Sequence, residues 1–237
     1  MILSKQVFKF KQFEVDQSGC AMKVNTDGVL LAALAEGDEP KNILDIGTGT
    51  GVIALMLAQR FENANICAVE IDPEASTTAE KNFKNSVFKE RLTLSNIAIE
   101  QFTAKQQFDL IISNPPYFVN DLRNAEEKKG IARHANDDFF TNLITKVDEL
   151  LAPNGCFWFI LPIKQAEMLV SEAKQYGLSV SKQIFLHSDE SKPPFRWIIC
   201  LSRIEKEVDI EHFYIYEAEK VYTKEYKELL KDFFLGY

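Results

Sequence analysis

Histidine is scarce in this chain, with three residues in 237, and cysteine is nearly so, with four. Cys20, Cys67, Cys156 and Cys200 stand far apart, with no C-x-x-C pair and no histidine cluster near any of them. That scatter excludes a structural zinc, and no metal is expected. Cys67, Cys156 and Cys200 lie in apolar segments, so reduced, buried thiols are expected there. Also missing is any apolar run approaching the roughly 20 residues that cross a bilayer. The N-terminal MILSKQVFKFKQF lacks the apolar centre of a signal peptide, so no membrane contact and a cytoplasmic location are expected. Net positive charge is absent as well: 35 acidic residues against 27 basic ones leave −8 at neutral pH. A protein of this sign cannot hold nucleic acid over its whole surface, so an RNA contact would need a local basic patch. What is present is ordinary for a globular protein, 46% apolar and 26% charged residues in a length that fits one compact domain.

Between Ile43 and Arg203 short apolar runs alternate with helical stretches. Strands are expected over 42–46, 64–70, 92–94, 108–113 and 157–161, and helices over 52–60, 73–85 and 138–151. Such alternation builds a parallel sheet with right-handed crossovers and helices on both faces, an α/β fold. The β-rich runs 178–186 and 197–203 are joined by HSDESKPPF, too short for a crossover helix, so they should pair antiparallel. Ahead of the repeat, KQVFKFKQFEV (5–15) alternates basic and apolar residues, and a helix should start at Thr26-Asp27. Behind it, YTKEYKELLKDFF has helical spacing, with Tyr222, Tyr226, Leu229, Leu230 and Phe233 near one face. The expected organisation is one domain over 1–237, with a short N-terminal extension (1–25) and a helical C-terminal one (206–237).

LDIGTGTG (44–51) runs from a strand through three glycines into a helix. Glycine is needed where the backbone turns sharply and where main-chain N–H groups must approach a ligand. The G-x-G-x-G spacing departs from the dinucleotide fingerprint, and no Gly-Lys-Ser/Thr follows to make a phosphate loop. A dinucleotide-dependent oxidoreductase is therefore the weaker reading. Glu70 ends the next strand, 19 residues after Gly51, where a carboxylate can accept both hydroxyls of a ribose. Together these features resemble the class I S-adenosylmethionine-dependent methyltransferases. The resemblance implies their Rossmann-like seven-stranded sheet with a reversed last strand. It also implies that Asp45, Gly47, Gly49 and Gly51 line the cofactor's methionine and ribose parts.

SNPPYF (113–118) follows the buried run 108–112. Two prolines fix φ and hold the preceding residues extended, so the Asn114 side chain and the Pro115 carbonyl should project at set angles. Tyr117, after Pro116, adds a flat π face. Two acceptors and a ring are suited to holding a planar NH₂ group while its nitrogen attacks a methyl. NPPY resembles the fourth motif of amino-methyltransferases, which modify adenine in nucleic acids and glutamine in release factors.

Enzymes that act on duplex DNA must extrude the base, and such enzymes usually carry a separate recognition domain. With few residues outside the core, a single-stranded RNA loop is the more economical substrate. Lys5, Lys9 and Lys11 alternate with Phe8, Phe10 and Phe13, either tracking a phosphate backbone or packing rings on the core with lysines outward. A second basic group, Lys128, Lys129, Arg133 and His134, is expected in a loop at the mouth of the site, with Arg133 and His134 on substrate. FKFKQFEV, CAMKVNTDGVLLAAL, LDIGTGTG, FDLIISNPPY, ARH and LLKDFFL together resemble the bacterial tRNA1(Val) adenine-37 N6-methyltransferases. That resemblance implies S-adenosylmethionine as cofactor and a tRNA anticodon loop as partner, with residues 23–28 closing over the cofactor through Lys23, Thr26 and Asp27. Thr26 or Asp27 would alternatively only cap the helix. One departure stands out: the family's aspartate after the third strand is replaced by Ala98, leaving Asn96 or backbone groups for the cofactor's adenine. Rival readings are glutamine N5-methylation of release factors and an RNA-binding module without catalysis. A monomer is expected.

Overall fold

The computed structural model describes residues 6–116 and 127–236, with side chains over the same ranges except 127–138. In chain order the elements are β1 (Val7–Lys9), β2 (Glu14–Asp16), α1 (Thr26–Leu34), β3 (Asn42–Ile46), α2 (Val52–Arg60) and β4 (Asn65–Glu70). Then come α3 (Pro73–Asn85), β5 (Leu92–Asn96), β6 (Phe108–Ser113), α4 (Glu127–Leu150), β7 (Leu151–Leu161) and α5 (Ile163–Lys174). β8 (Ser179–His187), β9 (Arg196–Ser202), β10 (Asp209–Tyr214), β11 (Tyr216–Ala218), β12 (Val221–Tyr222) and α6 (Lys224–Leu230) complete the chain.

Strands covered on both faces read as continuous apolar runs, and NILDI of β3 and FDLIIS of β6 are of this kind. Their side chains alternate between two cores. Ile43, Leu110, Ile112, Trp158 and Ile160 pack with α1 and α2. Leu44, Ile46, Ile111, Phe157 and Phe159 pack with α4 and α5 on the opposite face. Fully buried side chains of this size each contribute about 1.5–3 kcal/mol by leaving water.

The main sheet has eight strands in the order β10-β8-β9-β7-β6-β3-β4-β5. β9 runs antiparallel to both β7 and β8, and the other pairings are parallel. β3 to β9 are the seven strands expected, with the reversed last strand in place. β10 adds an eighth, parallel to β8, so the tail 206–237 is not wholly helical: strands precede the short α6. Two further differences concern helices. α4 begins at Glu127 rather than near 138, and α5 occupies residues left unassigned from the sequence. From β3 the chain moves outward through β4 and β5, then returns to place β6 on β3's other side. That reversal opens a crevice beyond the carboxyl ends of β3 and β6, where ligands of open α/β sheets bind.

Candidate active site

Gly47, Gly49 and Gly51 turn the chain out of β3, with φ of +73°, +56° and +82°. The left-handed region strains any residue with a Cβ. The amides of Gly47 and Thr48 donate to the Val69 carbonyl at 2.8 and 3.1 Å, stitching the loop to β4. A methyl on Gly47 or Gly49 would meet nothing within 4 Å, whereas one on Gly51 would stand 2.5 Å from Phe83 Cε1. The first two glycines thus border open space in the crevice, and the third lets α2 seat against α3.

Glu70 is buried at the end of β4. Its Oε2 accepts from the Gly49 amide and its Oε1 from the Asp72 amide, both at 2.8 Å. A carboxylate has about four lone-pair sites, so each oxygen keeps one for a ligand hydroxyl. Asn96 donates its Nδ2 to the carbonyls of Glu70 (2.8 Å) and Ile71 (3.3 Å), holding the turn after β4. Ala98 precedes the short turn Ile99–Gln101 and offers only backbone polar groups. Asp72, with Pro73 after it, caps α3 by accepting from the Glu74 and Ala75 amides.

Asp45 lies beneath the loop, fully buried. Its Oδ2 accepts from the Thr48 hydroxyl at 2.5 Å, and its Oδ1 has no hydrogen-bond partner. Burial pushes this carboxyl up to about 7 against the pull of Thr48 and the Ala54 amide, with the Glu70 charge adding to the rise. An unpaired buried acceptor costs about 1–3 kcal/mol, which a ligand bearing an ammonium group would relieve. The open space over Gly47 and Gly49, the spare acceptor capacity of Glu70 and the orphaned Asp45 oxygen fit a ribose joined to an amino acid.

Across the crevice, the Ser113 hydroxyl donates to the Ile46 carbonyl at 2.9 Å and pins the end of β6 to that of β3. Asn114 follows half-buried, with Pro115 buried and Pro116 exposed. The first turn of α1 lies against this segment: a methyl on Gly28 would stand 3.5 Å from Asn114 Nδ2. Asn25 caps α1, accepting from the Gly28 amide at 2.9 Å, so the cap is neither Thr26 nor Asp27. Asp27 instead pairs with Arg196 Nε at 2.8 Å, tying α1 to the start of β9. Lys23 and Thr26 are exposed ahead of that pair. Tyr117 lies outside the described residues, as do Lys5 and the side chains of Lys128, Lys129, Arg133 and His134. The backbone of the last four belongs to α4 rather than to a loop. Lys9 pairs with Glu14 and Lys11 donates to the Lys231 carbonyl, while Phe10 and Phe13 are buried and Phe8 is exposed, so two of the three rings pack on the core.

Residues 20–175 match the family model of the methyltransferase small domain. The chain belongs to this family. Curated relatives of this methyltransferase run nearly its full length. One from Pedobacter heparinus is 54% identical over 98% of this chain and 100% of its own, and one from Dyadobacter fermentans is 40% identical over 97% and 98%. A third, from Haemophilus influenzae, is 40% identical over 97% and 99%. All three are named tRNA1(Val) (adenine(37)-N6)-methyltransferase. Among solved structures, a predicted O-methyltransferase from Agrobacterium tumefaciens superposes with a TM-score of 0.64 at 17% identity, covering 87% of this chain and 96% of that one. A ribosomal protein L11 methylase from Lactobacillus delbrueckii subsp. bulgaricus gives 0.57 at 16%, covering 81% and 84%. These two share the fold of this methyltransferase. Among the described residues, no group of three or more metal-binding side chains could hold an ion, and no helix is long and apolar enough to cross a membrane.

Sequence reasoning missed three residues of the site: Thr48, Asn25 and Arg196. Asn25 carried a signal, an asparagine ahead of the first apolar turn and three residues before the amide it caps. Arg196 carried none, since its meeting with Asp27 depends on the reversal of β9.

Proposed function

We propose that the protein transfers a methyl group from S-adenosylmethionine to the N6 amine of adenine 37 in a valine tRNA, as a monomeric cytoplasmic enzyme of one domain. The observation that carries this reading is the convergence of Asn114-Pro115 and the glycine loop on one crevice, in a chain 54% identical to a relative named for that reaction. Gly47, Gly49 and Glu70 would hold the cofactor's ribose side, with Asp45 beneath its amino-acid end. When bound, S-adenosylmethionine supplies an electrophilic methyl on a sulfonium.

The chain's own residues then act in two ways. The first is orientation: Asn114 Oδ1 and the Pro115 carbonyl would accept the two N–H protons of the adenine amine, and Tyr117 would stack on the ring. With both protons held, the nitrogen turns its lone pair out of conjugation and towards the methyl. The second is electrostatic, because the same oxygens face the positive charge that develops on nitrogen. No buried base is needed to start the step, and the product's extra proton leaves along the accepting oxygens to water. Asn114→Ala should keep its affinity for S-adenosylhomocysteine, read by calorimetry, and lose methyl transfer to tRNA. Normal turnover by that variant, or labelled methyl found outside N6-methyladenosine, would reject the reading.

A further inference from the structure

A cavity of about 1050 Å³ lies away from the glycine loop, at the carboxyl ends of β8 and β10. Because both strands are parallel to β6, it lies at the same end of the sheet's strands as Asn114. β8 is three strand steps from β6 and β10 is four, roughly 14 and 19 Å at about 4.8 Å a step. Aromatic rings wall it: His212, Tyr214, Tyr216 and Tyr222.

These rings are fixed in place. His212 stacks on Phe185 at 4.9 Å and accepts or donates a 2.8 Å hydrogen bond with His187, whose other ring nitrogen meets the Lys192 carbonyl. Tyr216 stacks on Tyr222 at 5.0 Å, and Tyr222 on the buried Tyr226 at 4.4 Å. Rigid, part-exposed rings are stacking platforms for unpaired bases. The rim carries the opposite charge to the one a phosphate needs: Asp189, Glu217 and Glu225 line it, and its two lysines already sit beside carboxylates. Carboxylates repel a backbone but accept hydrogen bonds from the exocyclic amines of bases.

We propose that this cavity is a second RNA subsite, which takes an unpaired base bearing an exocyclic amine, splayed from the same loop as the methylated adenine. The inference rests on the tRNA reading above. At about 3.4 Å per stacked nucleotide the separation corresponds to roughly four to six nucleotides, within the span of one loop.

The test uses the full chain and steady-state methylation of tRNA transcript. Tyr216→Leu and Tyr216→Met keep apolar bulk and lose the π face. Each should raise KM for tRNA roughly 5- to 150-fold, the equivalent of one lost base stack, with affinity for S-adenosylhomocysteine unchanged. Tyr216→Phe should restore the wild-type KM. The penalty should be equal at 50 and 200 mM salt, since stacking releases no counterions. An unchanged KM, or a penalty that fades with salt as a phosphate contact would, overturns the subsite and leaves the proposed reaction standing. No transfer to tRNA by the wild type removes both. If the leucine and methionine variants do not fold, wild-type protein is titrated with anticodon stem-loops carrying 2-aminopurine at each loop position in turn. Quenching at one position besides the target supports the subsite, and quenching at none overturns it.

Discussion

Gly49 and Gly51 share one loop yet do different work, and substitution separates them. Gly49 has a left-handed φ and empty space beside it, while Gly51 has a left-handed φ and Phe83 at 2.5 Å from where a methyl would be. Gly49→Ala should cost only about 1–2 kcal/mol, the strain of the backbone alone, yet place its methyl where the cofactor would lie. The expected result is a folded protein with strongly weakened binding of S-adenosylhomocysteine. Gly51→Ala adds a steric clash between α2 and α3, so its loss of stability should exceed that of Gly49→Ala by at least about 2 kcal/mol. Urea unfolding beside calorimetry checks both, and equal behaviour of the two variants would contradict the division of labour. Both glycines were legible in the sequence, because a G-x-G-x-G turn between strand and helix is a local pattern. Their difference was not, because Phe83 is 32 residues from Gly51 in the chain.

Among elements, those with a strong local signal were readable, down to the bounds of the apolar β3, α2 and β6 and of α3, which opens on Asp72 and Pro73. Those that failed have weak patterns. α5 buries chiefly Ala166, Leu169 and Ala173, two of them too small to mark an amphipathic stripe. β10 is an edge strand exposed over its first four residues, and the opening turns of α4, EKKGIARHAN, are mostly polar. The coupling of α1 to β9 was beyond reach for another reason: it joins residues 169 apart, Asp27 and Arg196, as an ion pair. Asp27 and Arg196 are 13% and 23% exposed, so removing the guanidinium leaves a carboxylate largely out of water. Arg196→Gln should lower stability by about 2 kcal/mol and loosen the turn of α1 that lies against Asn114. Urea midpoints and tRNA methylation rates should both fall, with Arg196→Lys intermediate; an Arg196→Gln protein as stable as the parent would show the pair to be ornamental.

For the whole molecule, the buried Asp45 sets an unusual dependence of stability on pH. Its carboxyl titrates near 7 in the folded protein, against about 3.9 in an unfolded chain. Below pH 4 both forms carry the proton and the site adds no slope. Between pH 4 and 7 the unfolded chain releases a proton that the folded one retains, so stability declines as pH rises, by something on the order of 4 kcal/mol in all. Asp16 works the other way: Lys81 and Ser18 hold it at about 2, a contribution present above pH 4 and lost as pH falls to 2. Asp45→Asn should therefore flatten the decline between pH 4 and 7 while leaving the acid limb intact, as urea midpoints across that range would reveal. A variant that keeps the parent's slope would remove Asp45 as its source.

The reversed β9 also bears on how the molecule is made. β9 fills a slot between two strands synthesised before it, so a nascent polypeptide that has reached Lys174 still lacks β7's outer neighbour. Until Ser202 has emerged, Phe157 to Leu161 run along a bare, oily seam whose amides and carbonyls are open to any passing strand. Translation that pauses in that interval holds the protein at its stickiest, and a chaperone would find its purchase there.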